Sequence, residues 1–232
     1  MSYVLPVASP AAVPVRGPGD TSFAVHRIYC VGRNYVDHAV EMGFTGREPP
    51  FFFMKPADAV LPVREGTVGE MHYPSLTQDL HHEVELVVAI GQGGRDIAAR
   101  DALEHVWGYG VGLDMTRRDL QGEMKKQGRP WCIGKAFEES APISELRPAD
   151  RCQVDAETEI RLDVNGRTRQ QSRIGKLIWS IGEIIEHLSA AWTLAPGDLI
   201  FTGTPEGVAA VVRGDVLSAS VAGVATLQVR VV

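Results

Sequence analysis

The 232-residue sequence predicts a mixed, β-dominated α+β fold built around one main domain, on three observations. Its β-prone runs are short and broken by Gly, Pro and Asp. Helix-like patterns are few and do not alternate with the strands as a doubly wound α/β sheet requires. No repeat and no low-complexity linker divides the chain after roughly the first 20 residues. We therefore divide it into an N-terminal arm, 1–24, and a main domain, 25–232.

The elements follow in order. "MSYVLPVASPAAVPVRGPGD" has no basic start and is broken by prolines, so it reads as a flexible or loosely packed arm and not as a signal peptide. "FAVHRIYCVG" has strand character, and "RNYVDHAVEMG" predicts a short helix with Asn34 as N-cap and Gly43 as its stop. "LHHEVELVVAIG" reads as one strand closed by the turn "GQGG". "ARDALEHVWGY" begins as a helix, after which "YGVGLDMT" predicts a glycine-rich strand that delivers Asp114 to its end. "EIRLDVNGRTRQ" alternates Ile160, Leu162 and Val164 before Asn165-Gly166, the strongest short hairpin signal. "SIGEIIEHLSAAW" is the clearest helix, with Ser180 and Glu183 at capping-box spacing. "PGDLIFTGTPEG" and "GDVLSASVAGVATLQVRVV" close the chain as short strands.

Composition narrows the function. An apolar fraction of 44% with 22% charged residues is that of a soluble globular chain, and no stretch approaches the roughly 20 apolar residues of a membrane span. A net charge of −6 without a basic run gives no nucleic-acid surface. Cys30, Cys132 and Cys152 are odd in number and widely spaced, which fits a reducing cytoplasm better than a disulfide framework. A small-molecule partner is expected.

Three groups of residues can carry chemistry. Glu83 and Glu85 stand at i and i+2, on one face of an extended strand, beside the apolar "VVAI". An isolated Glu-x-Glu is ordinarily a solvated face, but two carboxylates at the end of a core strand need a cation or a proton. With Asp114 closing a second apolar strand, they form the oxygen set that Mg²⁺ or Mn²⁺ prefers. Adjacent His81 and His82 point to opposite sides, so at most one could join them. His38 and Glu41, at i and i+3 of a helix, can pair as a base and its orienting carboxylate. Asp114, Arg118 and Gln121 share a face if helical, with Thr116 as an alternative helix cap. Lys135 in "WCIGKAF" is an isolated cation among apolar residues and needs an anion if buried. "TGTPEG" reads as a turn.

Taken together, "CVGRNYVDHAVEMG", "EPPFFFMKPADAV", "DLHHEVELVVAIG", "GYGVGLDMTRRDLQ", "GRPWCIGKAFEESAPI" and "LAPGDLIFTGTPEGV" resemble, in the same order, the fumarylacetoacetate hydrolase family. Within that family "TRRDLQ" and "GRPW" are similar to the members that hydrolyse fumarylpyruvate in gentisate degradation. The resemblance implies a β-roll, a homodimer and a catalytic Mg²⁺ or Mn²⁺ held by Glu83, Glu85 and Asp114. It implies His38 with Glu41 as the base pair, and oxyanion or substrate contacts from Lys135, Gln121, Arg118 and Thr204. The one departure lies in "WCIGKAF", where Cys132 and Gly134 stand in place of bulkier or more variable residues. The expected substrate is a dicarboxylic keto acid, whose second carboxylate needs a cation; Arg33, Arg47, Lys55 and Arg118 are the candidates. General acylpyruvase action, oxaloacetate decarboxylation, isomerisation of a dienoic acid and a non-catalytic binding role are the alternatives.

Overall fold

The seven residues of the strand Val84–Ile90 are all buried, and the fold is arranged around them. The computed structural model describes residues 4–6, 9–17, 19–35 and 47–232. Successive side chains of a strand point to opposite faces, so this one strand feeds two cores. Leu86, Val88 and Ile90 pack with Val111, Leu113 and Ile200, while Val87 and Ala89 pack with Ile28, Leu199 and Phe201.

Among the described residues the large sheet runs, in spatial order, Phe51–Lys55, Ile28–Gly32, Leu199–Phe201, Val84–Ile90, Val106–Leu113, Ala141–Ile143 and Val60–Pro62, with Arg147–Pro148 also on Val106–Leu113. A five-stranded sheet, ordered Arg167–Arg173, Glu159–Val164, Val216–Val221, Ala225–Val231 and Gly69–Met71, packs over Val106–Leu113. Its first hairpin turns at Asn165-Gly166, both with positive φ, as the sequence predicts. The only α-helices among the described residues are Arg118–Lys126, Cys132–Lys135 and Ile181–Ala191. The last begins at the predicted capping box, in which Ser180 and Glu183 bond each other's backbone N–H. No helix among the described residues is long and apolar enough to cross a membrane.

Three expectations change. The stretch "LHHEVELVVAIG" is two strands: Leu80–His81 lies between Thr116–Arg117 and Ala210–Val211 in a three-stranded sheet. The chain then crosses at His82-Glu83 into the large sheet, and at the crossing the buried His82 ring bonds Gln170 of the five-stranded sheet (Nδ1–Oε1 2.9 Å). The N-terminal segment is packed in part: Ala12–Pro14 pairs with Ser22–Ala24, and Val13 is fully buried in the second core. Thr116 is no helix cap; it faces His81 across the short sheet and bonds the Asp114 carbonyl at 3.1 Å. The Asn34 carboxamide donates to the Trp179 and Thr202 carbonyls and accepts from the Trp179 N–H. The helix predicted to follow it, with His38, Glu41 and Gly43, lies outside the described residues.

Candidate metal centre and active site

Asp114 follows directly on Val106–Leu113, and Glu83 and Glu85 flank Val84, which pairs with Leu113. The pairing therefore brings three carboxylates together from two neighbouring strands. Each offers an oxygen, and these oxygens all lie within 4.8 Å of one another. All three residues are buried: Glu83 is 7% exposed, Glu85 2% and Asp114 1%.

Charge balance explains how they tolerate burial. Lys135, delivered by the Cys132–Lys135 helix, bonds Glu83 Oε2 at 2.7 Å and Asp114 Oδ2 at 2.6 Å. Lys55 Nζ sits 2.8 Å from Asp114 Oδ1, and Arg118 bonds both Glu83 and the Gln121 Oε1. Burial opposes ionisation of Glu83, but Lys135 and Arg118 overcome it and hold its pKa below the ordinary carboxylate range. Glu85 is the opposite case. Burial, then Asp114 and Glu83, push its pKa well up, and the Gly203 N–H at 2.7 Å is its hydrogen-bond donor. Burial also opposes the charge on Lys135, yet Asp114 and Glu83 raise its pKa, so it stays an ammonium.

Gly203 reaches Glu85 because its φ is +101°, and a Cβ there would lie 2.7 Å from the Cβ of Asn34. Gly134, the departure in the sequence, has a steric role: a Cβ on it would stand 2.9 Å from the Gln121 backbone nitrogen. The missing side chain lets the two helices meet, so that Gln121 and Lys135 reach one cavity. That cavity is lined by the three carboxylates, Lys135, Arg118, Gln121 and Thr204, by Phe51, Phe53 and Trp131, and toward the surface by Arg33 and Lys125. Arg33 has a left-handed φ of 55°, and its guanidinium lies 4.9 Å over the Phe51 ring.

The structure sorts the cations expected to meet a distal carboxylate. Lys55 is removed from that set: it is 1% exposed and committed to Asp114 and to the carbonyls of Met115 and Lys135. Arg47 pairs with Glu183 over the Trp179 ring and does not line the cavity. Arg118 does line it but is bonded to Glu83; Arg33 also lines it, as does Lys125, which sequence reasoning missed. Thr204 lines the cavity too, though its hydroxyl hydrogen goes to the Val84 carbonyl at 2.8 Å. Both histidines keep off the carboxylates. His81 bonds Asp79 at 2.8 Å, and burial, helped by His81, lowers the pKa of His82 to about 4 against its bond to Gln170.

Lys55 and Phe53 had a usable signal, since alternation along "FFFMK" puts Phe51, Phe53 and Lys55 on one face. Gln170 had none in the polar strand "RTRQQSR".

The family model described as fumarylacetoacetate (FAA) hydrolase C-terminal matches residues 27–232. The chain belongs to the fumarylacetoacetate hydrolase family. Among solved structures of the family, the fumarylpyruvate hydrolase of Pseudomonas aeruginosa, in complex with Mn²⁺ and pyruvate, is 54% identical, covers 100% of this chain and 99% of its own, and superposes with a TM-score of 0.97. The fumarylpyruvate hydrolase of a Ralstonia species is 45% identical over 184 residues, 79% of this chain and 93% of that one. The mitochondrial oxaloacetate tautomerase of Rattus norvegicus is 42% identical over 204 residues, 88% and 90% of the two chains.

This family member has a donor set suited to a divalent cation. All three groups offer hard carboxylate oxygens, the class that Mg²⁺ and Mn²⁺ take in preference to nitrogen or sulfur. Glu85, buried beside two other carboxylates, is the group a cation would let ionise.

Proposed function

We propose that the protein is a divalent-cation-dependent hydrolase that cleaves the carbon–carbon bond of 2,4-dioxo acids, with fumarylpyruvate and water giving fumarate and pyruvate. The observation that carries this reading is the buried cluster Glu83, Glu85 and Asp114 in a cavity that also meets Arg33 and Lys125. The three carboxylates would hold Mg²⁺ or Mn²⁺, which when bound supplies Lewis-acid stabilisation to the keto-acid end of the substrate. His38, oriented by Glu41, takes a proton from the water that attacks the C4 carbonyl. Gln121 accepts from Arg118 through Oε1, which turns its NH₂ group to donate to the oxyanion that forms. Lys135 and Arg118 keep Glu83 ionised and set the positive field around the reacting carbonyl. Arg33 and Lys125 meet the distal carboxylate, and the Phe51 and Trp131 rings line the way to it.

The reading extends to the gentisate route as the source of substrate, to the cytoplasm and to a homodimer. Free Cys30, Cys132 and Cys152 fit a reducing compartment; the route and the dimer rest on the family resemblance. A second reading, conversion of oxaloacetate, is favoured by the rat relative. The test is purified protein with Mn²⁺, assayed side by side on fumarylpyruvate, acetylpyruvate and oxaloacetate, with and without EDTA. Release of fumarate and pyruvate that chelation abolishes and Mn²⁺ restores is expected. Faster consumption of oxaloacetate than of either acylpyruvate would replace this reading with the second, and full turnover after exhaustive chelation would remove the metal.

A further inference from the structure

Val84 is the residue between two of the three carboxylates, and its backbone N–H and carbonyl are closed into a ring of hydrogen bonds. Its N–H donates to Gln170 Oε1 at 3.1 Å. Gln170 Nε2 donates to Thr204 Oγ1 at 2.8 Å, and Thr204 Oγ1 donates to the Val84 carbonyl at 2.8 Å. The direction of every bond is determined. A backbone N–H can only donate and the Pro205 carbonyl, 2.8 Å from Gln170 Nε2, can only accept, so the amide cannot be reversed. His82 Nδ1 must then carry the hydrogen that meets Gln170 Oε1 at 2.9 Å. Gln170 thus uses two donors and two acceptor sites while 1% exposed, on a strand whose exposed members face away from this junction.

The ring joins three separate parts of the chain. Gln170 belongs to the five-stranded sheet, Val84 opens the central strand, and Thr204 follows the Gly203 whose N–H reaches Glu85. Its other side is also closed: Asp114 N–H donates to the Glu83 carbonyl at 2.8 Å, and Thr202 N–H to the Leu86 carbonyl at 3.1 Å. A core polar contact alone would need only one partner per group. Here Gln170 holds the Val84 N–H on the Glu83 side and, through Thr204, the Val84 carbonyl on the Glu85 side, together with the turn that meets Glu85.

We propose that Gln170, acting with Thr204, is a positioning residue for the metal centre: it sets the relative placement of Glu83 and Glu85 without touching the cation or the substrate. The inference rests on the metal reading above. Outer partners that orient ligands characteristically change metal affinity or activity by about 10–100-fold when removed. The test compares Gln170→Leu, Thr204→Val and the double variant with the exposed neighbour Gln171→Ala as control. Mn²⁺ affinity is measured by titration calorimetry and Mn²⁺ EPR, thermal unfolding is followed with EDTA, and kcat and KM are measured at saturating Mn²⁺. Gln170→Leu and Thr204→Val should each weaken Mn²⁺ binding by about tenfold, and the double variant by no more than about the larger single effect, because either change opens the same ring. The control should match wild type. Folded single variants that keep the wild-type Mn²⁺ affinity and kcat within about twofold, however far their unfolding temperature falls, would overturn the proposal and leave Gln170 a core residue only. If Gln170→Leu does not fold, Thr204→Val decides by the same criteria. A wild-type protein that binds no Mn²⁺ would instead refute the metal reading on which the inference stands, which separates the two failures.

Discussion

Replacing Lys135 by Met tests whether the cluster is held together by its own cations. Met keeps much of the length and apolar stem of lysine, so the packing loss is small, while both bonds of the ammonium, to Glu83 at 2.7 Å and Asp114 at 2.6 Å, disappear. Removing one partner of a buried ion pair costs about 3–5 kcal/mol, because the other charge stays behind unpaired. Two carboxylates stay behind here, relieved by Arg118 on Glu83 and Lys55 on Asp114, so the cost should fall within that range and not double it. For a chain of this length 1 kcal/mol corresponds to roughly 2–4 °C, which places the melting temperature about 6–20 °C below wild type in EDTA. A dication binding only the folded state at a hundred times its Kd returns about 2.7 kcal/mol. Lacking the ammonium that competes for the same oxygens, the variant should gain more from Mn²⁺ than wild type does. Differential scanning calorimetry of both proteins, in EDTA and in MnCl₂, measures these shifts. A variant melting within about 2 °C of wild type in EDTA would refute the charge-balance argument.

His38→Ala should lower kcat by about 10²–10⁴-fold, the range of a general base, with Mn²⁺ affinity near wild type; activity within about twofold of wild type would make His38 a bystander. A charge-assisted hydrogen bond is worth roughly 1.5–3 kcal/mol, so wild type should prefer fumarylpyruvate to acetylpyruvate by about 10–150-fold in kcat/KM. Arg33→Gln with Lys125→Gln should erase most of that preference while sparing acetylpyruvate turnover, and equal efficiency of wild type on both substrates would deny a distal cation its role. Although partial burial opposes it, the Glu183 carboxylate is held below its usual pKa by the Ser180 backbone and side chain and by Arg47. A depressed carboxylate stabilises above its unfolded pKa, near 4.3, and loses that contribution as pH falls through its folded value. Glu183→Gln should therefore lower the urea midpoint slightly at pH 7, and the gap should close in melts below about pH 4.

Period-two alternation made much of this fold legible. Ile160, Leu162 and Val164 with Asn165-Gly166 announce their hairpin, and Ser180 with Glu183 announces the helix start, because both signals are local. The carboxylate cluster was legible for the same reason: Glu83 and Glu85 are two residues apart and Asp114 ends an apolar run. What the sequence hides is long-range. At the break at His82-Glu83 the partner of His82 is Gln170, 88 residues away, and the pairing of Lys55 with Asp114 depends on how distant strands meet. Thr204 was placed at the site by resemblance, and only the geometry reveals where its hydrogen goes.

The resident cations around the carboxylates have a consequence for supply. Lys135, Lys55 and Arg118 already neutralise Glu83 and Asp114, so the chain can complete its core without waiting for an ion, unlike a small zinc-organised domain that is unfolded until loaded. A dication arriving later enters a neighbourhood that is already positive, and its hold is weaker than three bare carboxylates would give. Loading then becomes an exchange that follows the free Mg²⁺ or Mn²⁺ around the protein, so the fraction of active molecules is set by the surroundings and not at the moment of folding.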